Sequence, residues 1–94
     1  MQVEKYAHAV DQLTDEQIKI LSFTDVSRSN NEIQESCLGL KRHNDNFKRY
    51  INPLLNMRLL ARTVPRVPNS PIQKYFTTNK GYLFLLILDY KQQS

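Results

Sequence analysis

The apolar residues between His43 and Leu60 recur at intervals of three and four positions, with polar residues between them. This spacing is typical of an amphipathic α-helix whose apolar face packs on a core. The residues on that face are Phe47, Tyr50, Ile51, Leu54 and Leu55. The pattern therefore predicts a core helix, which we place over residues 43–57.

Pro53 lies within this helix and has no amide hydrogen to donate, so it disturbs the bond to the carbonyl of Arg49. One alternative ends the helix at Ile51 and begins another turn at Pro53, since proline is favoured at a first helical position. The apolar period continues through Leu54 and Leu55 without a change of phase. We therefore predict a single kinked helix.

Two shorter helices are predicted before this one. Thr14 with Gln17 has the spacing of a capping box and opens a helix over residues 15–23. Ser29 with Glu32 has the same spacing and opens a second helix over residues 30–38. We expect the buried residues of these helices to be Ile18, Ile20, Leu21, Ile33 and either Cys37 or Leu38. Gly39 suits the left-handed residue that ends a helix.

The patterns at the two ends of the chain predict flanking helices. Residues 2–12 are compatible with a helix through Val3, Tyr6, Ala7 and Val10. Thr78 or Asn79 is suited to cap a final helix that begins near Lys80. The run Tyr82–Leu88 in that helix is apolar on all sides. It either lies in a groove against the N-terminal helix or meets a second subunit or a missing domain, and we favour the second option, with a homodimer as one form of it.

Two short strands are predicted after the central run, over residues 59–64 and 73–77. The segment between them contains Pro65, Pro68 and Pro71, which excludes a central strand and predicts a loop. The spacing P-x-x-P-x-x-P also matches polyproline ligands of SH3-type grooves. We favour the structural interpretation, because strands closely flank the prolines.

This order of elements predicts an α+β, mainly helical fold, a winged helix-turn-helix. It would consist of a three-helix core, a two- or three-stranded β-wing, and extra N- and C-terminal helices. We expect one domain with its core over residues 13–80 and flanking helices over residues 1–12 and 80–92. We also expect the chain to be a fragment of a larger protein.

Charge is segregated along the chain. Residues 41–80 contain nine basic side chains and one acid, Asp45, whereas residues 1–40 contain three basic side chains and seven acids. A basic segment of this kind suits a polyanion such as duplex DNA, although a solvated surface without a partner is the alternative. The side chains placed to contact DNA from the helix and the wing are Arg42, Lys48, Arg49, Asn52, Arg62, Arg66 and Lys74.

The sequence gives little support for catalysis. Two glycines in the whole chain cannot form a glycine-rich phosphate loop, and the single cysteine, Cys37, forms neither an intrachain disulfide nor a cysteine-rich zinc site. His8 and His43 are far apart in sequence. We therefore expect no enzymatic activity, no cofactor and no metal. Without a secretory signal or a long apolar run, the protein is expected to be cytoplasmic.

Three motifs carry a family resemblance over residues 13–88: FKRYINPLL at residues 47–55, P-x-x-P-x-S-x-x-Q-K-Y at residues 65–75, and TNKG at residues 78–81. They resemble the C-terminal winged-helix domain of bacterial RecG-like, ATP-dependent DNA helicase-related proteins or transcriptional regulators. Similar domains form the C-terminal part of some Fic-family proteins. The resemblance implies a DNA-binding domain attached to a longer protein. The Fic-type catalytic loop is missing from this sequence.

Two positions depart from that family pattern. Arg58 stands where the family usually has a glycine, so a left-handed conformation there would cost about 1 kcal/mol. Thr77 replaces the usual leucine before the TNKG turn, and we expect this change to weaken a core contact slightly.

Overall fold

The structure, a computed structural model, describes residues 3–93, and for residues 3–5 it describes only the backbone. It is an α+β domain, mainly helical, with a small antiparallel sheet. The α-helices are α1 (Val3–Asp11), α2 (Asp15–Phe23), α3 (Asn44–Asn46), α4 (Asn52–Asn56) and α5 (Asn79–Gln93). Two π-helical segments, π1 (Glu32–Cys37) and π2 (Phe47–Ile51), and two strands, β1 (Leu60–Arg62) and β2 (Tyr75–Thr77), complete it.

Both predicted capping boxes are present. Thr14 Oγ1 accepts from the amide of Gln17, and the side chain of Gln17 accepts from the amide of Thr14. Ser29 and Glu32 make the equivalent reciprocal pair. The predicted bounds of α2 are confirmed, but its burial is shifted: Ile20 and Leu21 are fully buried, whereas Ile18 is only partly buried.

The two helices that follow depart from the ordinary α-helices that the sequence predicts. In π1 the amide of Leu38 donates to the carbonyl of Ile33, five residues back. In π2 the amide of Asn52 donates to Phe47 in the same way. A π segment inserts a residue into a helical turn, and periodicity alone does not reveal it.

Residues 44–56 are helical throughout, and we call them the central helix. The widened turn of π2 comes immediately before Pro53, which lies in the first turn of α4. A missing amide is tolerated there. The helix is thus continuous, as predicted, but it accommodates Pro53 by a change of helix type. Ile51 and Leu54 are fully buried, and Phe47, Tyr50 and Leu55 pack partly buried against the core.

The helix that contains π1 and the central helix are each followed by a residue with positive φ. Gly39 has φ 66° and Arg58 has φ 62°. Around Arg58 the amide of Leu59 donates to Leu54 and the amide of Arg58 donates to Leu55, which is the Schellman arrangement. The condition attached to the prediction about Arg58 is therefore met: a non-glycine residue occupies a left-handed position.

The sheet pairs β1 with β2, with Ala61 opposite Phe76. Both strands are shorter than predicted, at three residues each. The expected loss at Thr77 has a compensation: the residue is buried, and its hydroxyl lies 2.7 Å from both the carbonyl of Leu21 and the hydroxyl of Thr24. The polar side chain thereby joins β2 to α2.

Helix α5 packs on α1, α2 and β2. Its approach to Leu59, the residue before β1, is close, because a Cβ added at Gly81 would lie 2.5 Å from the carbonyl oxygen of Leu59. Phe84 and Ile87 are buried in the common core. The first of the two predicted settings, a groove against the N-terminal helix, is therefore present for this side of α5. The opposite side remains exposed at Tyr82, Leu86 and Tyr90.

Candidate nucleic-acid interface

The start of the central helix is positioned by a buried glutamine. Gln34 is fully buried in π1. Its Nε2 donates to Oδ1 of Asn30 at 2.7 Å, and its Oε1 accepts from the backbone amide of His43 at 2.8 Å. Asn46 adds a second link by donating from Nδ2 to the carbonyl of Lys41. These bonds fix the turn that presents Arg42 at the surface.

The proline-rich loop is a chain of three turns. The amides of Val67, Ser70 and Gln73 each donate to the carbonyl three residues earlier. Each of the three prolines therefore occupies the second position of a turn, where its fixed φ is favoured. The prolines recur every three residues because successive turns begin every three residues. We call residues 62–74 the wing.

Gln73 closes the wing from inside. It is buried, its Oε1 accepts from the amide of Val64 at 2.8 Å, and its Nε2 donates to the carbonyls of Val64 and Val67. The hydrogen bonding between the two strands continues one residue beyond β1, since the amide of Thr63 donates to the carbonyl of Lys74. The wing is therefore a hydrogen-bonded unit.

The predicted DNA-contacting residues lie on the central helix, on the turn before it and on the wing. Five are exposed, namely Arg42, Lys48, Arg49, Arg66 and Lys74, and two are partly buried, Asn52 and Arg62. Among residues 6–93, side-chain ion pairs join Arg28 to Glu32 and Lys91 to Asp11, and the carboxylate of Asp45 lies 3.5 Å from Nδ1 of His43. None of the predicted basic residues takes part in them.

Asp45 is the single acid in residues 41–80 and lies at the start of the central helix. Its backbone amide donates to Nδ1 of His43 at 3.1 Å, which caps the central helix. Its carboxylate lies 3.5 Å from the same nitrogen and is largely exposed. The acid therefore neighbours His43, and neither Arg42 nor Arg49 is its ion-pair partner.

Two of the predicted residues contribute to the lining of one groove. Arg42, from the turn before the central helix, and Arg62, from the end of β1, line a cavity of about 410 Å³. The cavity is bounded by residues 29–31, which precede π1, by the start of the central helix and by the wing and β2. Lys48, Arg49, Asn52, Arg66 and Lys74 lie outside its lining.

The floor of this groove includes Tyr75, which is buried. Burial raises the pKa of its hydroxyl, and the nearby positive charge and hydrogen bonding of Arg62 partly oppose that rise. The ring of Phe47 lies beside it, with 6.0 Å between the ring centroids. Tyr75 thus joins the groove to the core.

Gln34 and Gln73 were missed by the sequence analysis as positioning residues. Both are polar residues that the hydrophobic period assigns to no face, and their bonds run to backbone atoms nine residues away. Gln73 does fall within the quoted P-x-x-P-x-S-x-x-Q-K-Y motif, which was the available signal. No corresponding motif marks Gln34 in the sequence.

Other chemistry is sparse in the part of the chain that the structure describes. No group of three or more His, Cys, Asp or Glu side chains there is arranged to hold a metal ion. Burial raises the pKa of the Cys37 thiol. Among residues 3–93, no helix combines the length and apolar character needed to span a membrane.

The fold and surface thus define a small helical α+β domain with a basic face. The family model "Filamentation induced by cAMP protein Fic-like, C-terminal domain" matches residues 15–78. The chain belongs to this family. A comparison with curated proteins gave no significant match.

A solved structure supports this assignment. It is the crystal structure of a Fic family protein from Desulfovibrio desulfuricans G20, with 31% sequence identity and a TM-score of 0.57. The alignment covers 82% of this chain and 24% of that protein. The chain therefore spans about a quarter of the length of this similar protein.

Proposed function

We propose that the domain is a winged helix-turn-helix that binds duplex DNA. Helices α2 and π1 and the central helix would form its three-helix core, and β1, β2 and the wing its β-structure. Backbone bonds add a third edge: Arg28 and Tyr75 exchange amide–carbonyl bonds, and Thr77 donates to Thr24. A segment after the first core helix that pairs with the wing strands supports this fold.

The observation that carries DNA binding is the excess of positive charge on the helix and the wing. Lys48 and Arg49 on the central helix and Arg66 on the wing are exposed and have no acidic ion-pair partner among residues 6–93. Lys74 is also exposed and interacts electrostatically with Glu32 without forming a close ion pair. Unpaired surface cations attract phosphates and release counterions on binding. Asn52 and Arg49 would offer hydrogen bonds to base edges.

The domain would serve within a longer protein. Family membership supports a Fic-related parent, and the sequence resemblance to helicase-related proteins and regulators supplies a further setting. In either setting we propose that this domain positions its parent on DNA, in the cytoplasm, and itself performs no catalysis.

A salt-titrated binding assay with a fluorescent duplex tests the proposal. We expect the logarithm of the binding constant to fall linearly with the logarithm of salt concentration. The double variant Arg49→Gln/Arg66→Gln should bind more weakly and reduce the salt slope by about 2, one for each lost phosphate contact.

Lys19→Gln is a matched control, because Lys19 is an exposed cation on α2, outside the central helix and the wing. It should leave the affinity close to that of the parent chain. Undetectable or salt-insensitive binding at low ionic strength contradicts the proposal, as does an equal loss in the control and the double variant.

A second candidate function is protein docking or homodimerisation through α5. Tyr82, Leu86 and Tyr90 are spaced one helical turn apart and are 40%, 64% and 64% exposed. Such a stripe is typical of an interaction face. Light scattering on the same samples discriminates: a monomer that binds DNA favours the first function, and a tight dimer indifferent to DNA favours the second.

A further inference from the structure

The groove between residues 29–31, the central helix and the wing has the charge of an anion site. Its lining includes two cations, Arg42 and Arg62, and no aspartate or glutamate. Arg42 and Arg62 are twenty residues apart in sequence, so the tertiary structure places both in the lining of one groove. Guanidinium groups bind phosphate oxygens through paired hydrogen bonds.

Several polar groups in the groove have unused hydrogen-bonding capacity. None of the hydrogen bonds among the described residues uses the side-chain amides of Asn31, Asn44 or Asn69, which all line the groove. The Nε of Arg62 is buried without a hydrogen-bond partner in the described part of the chain. Buried donors are normally paired, so an acceptor that repositions this guanidinium would be favoured.

Part of the lining is apolar and is formed by Phe47, Pro68 and Pro71. The volume of about 410 Å³ lies within the usual range for small-molecule sites. A ligand matched to this groove carries an anionic group at one end and a flat, hydrogen-bonding body at the other. A nucleotide has this combination.

We propose that this groove binds a single nucleotide, with its phosphate held by Arg42 and Arg62. Its base lies against the apolar wall and accepts or donates hydrogen bonds at the asparagine amides. The nucleotide is either a free nucleoside monophosphate or one unit of a nucleic acid. This inference goes beyond duplex binding, because it does not require Lys48, Arg49 or Arg66.

Amide NMR spectra of the whole chain test the proposal, with deoxyadenosine monophosphate, deoxyadenosine and inorganic phosphate titrated separately. We expect the monophosphate to shift the amides of residues around the groove, including Asn44, Arg62 and Asn69. Its affinity should exceed that of the nucleoside and that of inorganic phosphate by about tenfold or more, since the nucleoside lacks the charge-assisted hydrogen bonds of the phosphate and inorganic phosphate lacks the contacts of the base.

Arg42→Gln and Arg62→Gln should each weaken binding of the monophosphate by about tenfold. Lys19→Gln is the control: it removes one positive charge from an exposed residue of α2 that lies outside the groove lining, and its affinity should be unchanged. Arg42 is itself exposed, so its replacement gives a folded variant even if Arg62→Gln disturbs the wing.

A single-stranded oligonucleotide and a duplex distinguish the two sources. A groove specific for nucleotides within a strand binds the oligonucleotide more tightly than the monophosphate, and Arg42→Gln weakens both. Equal affinity for nucleoside and monophosphate, amide shifts confined to other surfaces, or equal losses in Arg42→Gln and Lys19→Gln would overturn the proposal. If Arg49→Gln/Arg66→Gln loses duplex binding and the groove variants retain it, the groove and the duplex-binding surface are separate sites.

Discussion

Arg58 is the residue whose backbone conformation departs furthest from its chemical preference. It adopts φ 62° immediately after the central helix, in the region where a Cβ is crowded by the backbone. The surrounding bonds hold it there: Thr78 donates from its hydroxyl to the carbonyl of Arg58, and Lys80 donates to the carbonyl of Met57. The local strain is thus imposed by tertiary hydrogen bonds.

Replacing Arg58 by glycine should raise the free energy of unfolding by about 1 kcal/mol, because glycine adopts positive φ without the Cβ penalty. The measurement is chemical denaturation, with the midpoint rising and the slope unchanged. Arg58→Ala is the control. It removes the same long side chain but retains Cβ, so an equal gain in both variants would contradict the conformational explanation.

At the scale of elements, π1 depends on its capping box. The backbone hydrogen bond from Ser29 is the main cause that lowers the pKa of the Glu32 carboxyl; burial opposes it, and the Ser29 hydroxyl and the charge of Arg28 reinforce it. A lowered pKa means that the folded state favours the carboxylate. Its contribution to stability is therefore complete above the carboxyl pKa of the unfolded chain.

This contribution should disappear as the pH falls through the carboxyl range, around pH 4. We expect Glu32→Gln to show a smaller loss of stability on acidification than the parent chain, measured by denaturation at a series of pH values. Glu35→Gln serves as the control on an exposed residue of the same segment. A pH dependence that is identical in the parent and both variants would refute the capping explanation.

At the scale of the whole molecule, α5 joins α1, α2 and the sheet. Its two neighbouring residues Leu86 and Ile87 have opposite environments, since Leu86 is 64% exposed and Ile87 is 1% exposed. One face of α5 therefore belongs to the core, and the other is available to a partner.

Ile87→Ala should lower the free energy of unfolding by about 2–5 kcal/mol, because it removes buried methyl groups and leaves a cavity. Leu86→Ala on the adjacent position should change it by no more than about 0.5 kcal/mol. Thermal or chemical unfolding of the monomer measures both. A large loss in Leu86→Ala would instead show that this face is buried in solution, as a dimer requires.

The sequence by itself determined the features that depend on near neighbours in the chain. Capping pairs three residues apart predicted the starts of α2 and of the helix containing π1, and the apolar period predicted that Ile51 and Leu54 are buried. The position of Gly39 predicted a left-handed helix end. These features depend on local hydrogen bonds and on the helical period, both of which are written in residue spacing.

The tertiary structure decided what depends on groups distant in sequence. The hydrophobic period does not predict the π turns or the buried hydrogen bonds of Gln34 and Gln73. It also does not predict that Arg42 and Arg62 line one groove. The setting of α5 was likewise undecided, because a helix apolar on all sides does not specify which side meets the core. Packing selects that side, and it leaves Tyr82, Leu86 and Tyr90 facing outward.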